Sequence, residues 1–111
     1  MMSKEELEKK LKETETELER IKEMVRAAKE NAEEEYNKRL RIFAIVKESL
    51  ERKHEERKEL LRKEEFSQAR LLLFEIEELE TDLNRERENV TAAYAAYKEI
   101  NNLDYEVKWK Q

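Results

Sequence analysis

One stretch of this sequence has residue types and spacing suited to catalysis or metal binding. Glu51 and His54 stand three apart, which on a helix sets a carboxylate and an imidazole on one face. Di-metal carboxylate bundles use that Glu-x-x-His pair twice, together with two more glutamates. This chain has a single histidine among 29 acidic residues, so the pair reads as a solvated or seam-edge feature. Only a second copy of the chain could double it. Ser3, Ser49 and Ser67 have no base at a suitable spacing, and regular helices do not readily offer an oxyanion hole. There is no Cys nucleophile or Cys metal ligand, and without glycine there is no phosphate-cradling loop. The sequence therefore predicts no enzyme, no catalytic or metal-ligating set and no cofactor.

Two charged clusters invite a binding role. Arg52, Lys53, His54, Arg57, Lys58, Arg62 and Lys63 have Glu51, Glu55, Glu56 and Glu59 interleaved, the pattern of a salt-bridged exposed face. The acidic run from Glu75 to Asp82 could present an acidic face to a basic partner, although a solvated face is the simpler reading. Net charge is −5 with both signs interspersed, which opposes nucleic-acid binding and adsorption to an anionic membrane. The longest apolar run, Ile42 to Val46, is far short of the roughly 20 residues of a membrane span. The chain enters Ser3-Lys4-Glu5-Glu6 with no apolar leader, so the expected location is the cytoplasm.

The elements behind these clusters follow from what is missing. The 111 residues include no glycine and no proline, and 48% are charged. Gly and Pro are the residues that punctuate helices, so few connections are expected. A first apolar stripe, Leu7, Leu11, Thr14, Leu18, Ile21, Val25, Ala28 and Ala32, alternates spacings of four and three. It slips through Tyr36 and Leu40, as a stutter does, then resumes at Phe43, Val46 and Leu50 and turns polar at His54 and Arg57. A second seam, Ala69, Leu72, Ile76, Leu79, Leu83, Glu86, Val90, Ala93, Tyr97 and Ile100, keeps strict heptad spacing.

The predicted fold is all-α: a long, coiled-coil-like antiparallel helical hairpin in one domain. Its helices cover about 4–62 and 68–102, with a turn at 63–67 and a short tail at 103–111. Ser67 is the expected N-cap, with Phe66 and Leu71 at staple spacing. Basic residues from Arg41 to Lys63 would then lie against acidic ones from Leu71 to Glu88. The alternative is a three-helix bundle, with the first helix breaking near Asn31 and folding back. Ile42 to Val46, apolar on every face, asks for a third helix in cis or in trans.

The overhanging residues Leu7, Leu11, Leu18, Ile21 and Val25 need a partner, which predicts self-association, most simply a homodimer. The tail alternates Tyr105, Val107 and Trp109 with charged residues, a strand-like period that a partner's sheet edge could accept; helix extension is the other reading. Two functions follow. One is a non-enzymatic structural or scaffolding coiled coil. The other is a small acidic adaptor or inhibitor that binds one protein through its acidic face or its Tyr/Trp tail.

Overall fold

The computed structural model describes the backbone of residues 3–109 and the side chains of residues 3–102. Two helices account for nearly all of it. α1 runs Lys4–Arg62 and α2 runs Phe66–Trp109, packed as an antiparallel hairpin. α1 passes through Asn31 without a break, so no third helix forms by fold-back. Strong helix formers on both sides of Asn31 explain the continuity. Ser3 starts α1: the Glu6 N–H donates to Ser3 Oγ at 3.2 Å, and the Leu7 N–H donates to the Ser3 carbonyl at 3.1 Å. That N-cap satisfies donors the first turn would leave orphaned.

The connection is tighter than the sequence suggests, and it replaces glycine with glutamate. The Glu65 N–H donates to the Leu60 carbonyl at 2.9 Å and the Glu64 N–H to the Leu61 carbonyl at 3.1 Å. These two bonds are a Schellman closure of α1. It demands a left-handed residue, and Glu64 supplies it at φ 60°. α2 then begins at once, with the Ala69 N–H donating to the Glu65 carbonyl at 3.0 Å. Glu65, not Ser67, is therefore the N-cap position. Phe66 and Leu71 are both exposed and form no buried staple.

The chain divides into two compact units, 34–95 and 1–33 with 96–111. In the first unit, the register is fixed by contacts between the helices. Tyr36 and Tyr94 rings stand 5.5 Å apart, and Lys53 Nζ reaches Glu75 at 3.1 Å. Ala69, Leu72 and Ile76 are its buried apolar side chains. Leu79, Leu83, Val90 and Ala93 are half-buried on the same heptad positions. The α1 side differs from expectation. Arg39 is half-buried and Leu40 exposed, so the slip is a single extra step of four, Ala28 to Ala32 to Tyr36, after which the three-four alternation returns. The Arg39 stem can lie along the seam because Glu35 holds its guanidinium at 2.8 Å. Likewise Lys53 takes the inward position in place of His54, which is exposed, while Arg57 is half-buried at its expected seam position. Among the described residues of the chain, no third helix covers Ile42 to Val46: Ile42, Phe43 and Val46 are half-buried and Ile45 is 63% exposed.

In the second unit, the end of α2 lies beside α1, where Ile21, Met24, Val25, Ala28 and Ile100 line an open apolar groove of about 210 Å³. α2 stays helical to Trp109, so the backbone there is not the extended strand that the period-two pattern allowed.

Candidate functional site: an uncovered heptad face

Every side chain from Ser3 to Ile21 is exposed. Within that segment Leu7 is 54% exposed, Leu11 61%, Leu18 40% and Ile21 43%. Their spacing repeats that of a buried seam, so one turn after another presents an aliphatic side chain to water on a single face. A contiguous exposed apolar stripe of this kind marks an interaction surface more than scattered single residues do. Thr14 completes the stripe, and its hydroxyl donates to the Lys10 carbonyl at 2.9 Å. Val25, the fifth expected member, is half-buried and forms a wall of the groove beside Ile100. The side chains of Tyr105, Val107 and Trp109 lie outside the described residues.

A second apolar surface sits at the hairpin tip. Phe66, Leu71 and Phe74 are each more than 60% exposed. The first two stand at staple spacing in the sequence, whereas Phe74 belongs to no motif there. The signal was present: Leu71 and Phe74, three apart, fall outside the heptad set of Leu72 and Ile76 and so must point away from α1.

The charged clusters are engaged within the chain. In the basic cluster, Glu59 pairs with Arg62, Glu55 with Lys58 at 3.2 Å, and Glu48 with Arg52 at 3.6 Å. Two contacts join it to the acidic run on α2. Lys53 meets Glu75, and His54 Nε2 stands 3.9 Å from Glu80, an ion pair only when the imidazole is protonated. The hydrogen bond to Glu75, then the charges of Glu56 and Glu75, hold the Lys53 ammonium above its ordinary pKa. His54 thus faces Glu80 across the hairpin. Among the described residues, no group of three or more His, Cys, Asp or Glu side chains is gathered as a metal site.

Besides Arg39, three polar groups occupy the seam itself. The Glu86 side chain is only 11% exposed, accepts a hydrogen bond from Asn89 Nδ2 at 3.3 Å and lies 3.9 Å from Arg85 Nε. Arg57 Nε is buried without a hydrogen-bond partner. Lys53 is the third. The recess of about 450 Å³ along Lys9, Lys12, Glu13, Thr16, Glu17 and Arg20 has mixed charge on one helix face, and the Thr16 hydroxyl is committed to the Lys12 carbonyl at 3.0 Å. Such a lining lacks the convergent polar groups of a small-molecule site.

No described helix is long and apolar enough to cross a membrane. Compared with protein-family models, curated proteins and solved structures, the chain matches none.

Proposed function

We propose that this protein is a non-enzymatic scaffold of the cytoplasm that works by helix–helix association, and that its first partner is another copy of itself. One observation carries the reading: the heptad-spaced stripe Leu7, Leu11, Leu18 and Ile21 is exposed over the whole N-terminal part of α1. Covering it removes apolar surface from water at about 25 cal/mol per Å². The mixed charge of its flanks favours a specific partner helix over nonspecific collapse. The reading as an acidic adaptor has less support. Glu75 and Glu80 are already placed against Lys53 and His54, and a helical backbone at 103–109 does not suit strand addition.

Light scattering on the full chain at tens of micromolar tests the proposal. A dimer or larger species is expected, with Leu11→Ser/Leu18→Ser shifting the mass toward one chain. A monomer with full helicity at that concentration overturns self-association and leaves the adaptor reading in its place.

A further inference from the structure

We propose that the second copy docks on this stripe in parallel and in register, through residues 4–22, so that the two N-termini lie together. The inference rests on the self-association proposed above and adds its orientation. Heptad positions follow from the spacing. Lys4, Leu11, Leu18 and Val25 occupy a, and Leu7, Thr14 and Ile21 occupy d. The flanks are then Glu8, Glu15 and Lys22 at e, with Lys10, Glu17 and Met24 at g.

In a parallel coiled coil, each g residue meets the e residue five positions on in the partner. Lys10 then meets the partner's Glu15, and Glu17 meets the partner's Lys22. Two-fold symmetry repeats both contacts, so four pairs of opposite sign flank the apolar layers. Antiparallel pairing sets e against e and g against g. Centred between Thr14 and Leu18, it brings Glu15 against the partner's Glu15 and Glu17 against the partner's Glu17. Centred between Leu11 and Thr14, it gains Lys10 against the partner's Glu17 but sets Glu8 against the partner's Glu15. Centred between Leu18 and Ile21, it pairs Glu15 with the partner's Lys22 but lays Leu7 and Leu11 against the partner's Ala32 and Ala28, which are already half-buried within their own chain. Among registers confined to residues 4–22 of both copies, only the parallel one has no like-charge contact among these flanking residues.

Two structural details agree with burial of this face. The Thr14 hydroxyl already donates to the Lys10 carbonyl, so turning it toward a partner leaves no orphan donor. The stripe also ends in the open groove lined by Ile21, Met24, Val25, Ala28 and Ile100. In the parallel register the partner's own Met24 and Val25 arrive level with that groove. Lys22 is free to turn: its present contact is Glu19 on its own helix, at 3.6 Å with the Lys22 side chain 37% exposed.

The chain has no cysteine, so single cysteines report the geometry directly. Full-length Lys4→Cys, at an a position, is expected to cross-link as a dimer in a glutathione redox buffer. Lys9→Cys, on the outer face, is the control and is expected to remain reduced. Glu15→Lys should weaken dimerisation about three- to tenfold by facing the partner's Lys10, and adding Lys10→Glu should restore it. A dimer by light scattering in which Lys4→Cys cross-links no better than Lys9→Cys overturns the parallel register and leaves self-association standing. So does a dimer indifferent to Glu15→Lys. A monomeric wild-type chain overturns both.

Discussion

The seam of α2 between Ala69 and Ala93 and the stripe of α1 between Leu7 and Ile21 have nearly the same pattern and opposite fates. Both repeat apolar residues at alternating spacings of three and four, and each has one polar interruption, Glu86 in the first and Thr14 in the second. Ala69 and Ile76 are 1% and 2% exposed, whereas Leu11 is 61% exposed. A heptad pattern states that a face needs a partner. Whether the partner comes from the same chain depends on where the connection falls. The turn at Lys63–Glu65 supplies α2 with the later part of α1 and leaves the first residues of α1 uncovered. The polar interruptions differ as well. Thr14 satisfies its donor on its own helix, while Glu86 places a carboxylate inside the seam with one hydrogen bond from Asn89.

The largest expected effect separates these regions by truncation of one side chain in each. Ile76→Ala should lower stability by about 2–4 kcal/mol, because it removes buried methyl groups and leaves a cavity. Leu11→Ala, measured by thermal melting at concentrations too low for association, should change stability by less than about 0.5 kcal/mol. Equal losses would mean that the stripe is covered within the monomer and would end the contrast.

Glu86→Leu sharpens the comparison next. A nearly buried carboxylate with a single 3.3 Å hydrogen bond is desolvated with little return. Replacing it with an aliphatic side chain, at the level of Phe43, should raise stability by about 1–2 kcal/mol in urea unfolding. Glu86→Ala retains no packing and should not reproduce the gain. If Glu86→Leu destabilises instead, the carboxylate has a role in fixing register that its neighbours within the chain do not reveal.

A smaller effect is expected at the turn. Glu64→Gly should raise stability by about 1 kcal/mol, since φ 60° costs glutamate a Cβ clash that glycine lacks. The gain of unfolded-chain freedom on introducing glycine offsets part of it. A loss of stability on calorimetry would show that Glu64 contributes through its side chain.

The smallest effect is the pH dependence of the cross-hairpin pair. Lys53 has its pKa raised by Glu75, so the folded state holds this proton more tightly than the unfolded state does. Its stabilising contribution is complete at neutral pH and fades as pH rises through the raised value, above the ordinary lysine range. Lys53→Met should remove that alkaline dependence and leave melting between pH 6 and 9 with nearly the same slope as wild type. A changed slope within that window would point to a different titrating group.

Much of this molecule was determined by the order of residue types along the chain. The absence of glycine and proline excludes frequent turns, so long helices follow from propensity and hydrogen-bond geometry alone. The heptad of Leu72, Ile76, Leu79 and Leu83 names the buried face of α2, because only one face of a helix can meet one neighbour. The Leu7 to Ile21 stripe announces an unfilled need on the same ground. Other features were decided only when two helices met in one register. Arg39 and Lys53 became inward residues through continuation of the α1 seam, against their polarity, because long stems can lie along apolar surface with their charged ends outside. In the sequence, steps of four from Tyr36 and from Leu50 point instead to Leu40 and His54. The cap position moved from Ser67 to Glu65 because a Schellman closure used the backbone of Glu64 and Glu65, and backbone geometry does not depend on a capping side chain. A pattern of residue types fixes which faces are apolar; the turn geometry and the register fix which neighbour each face receives.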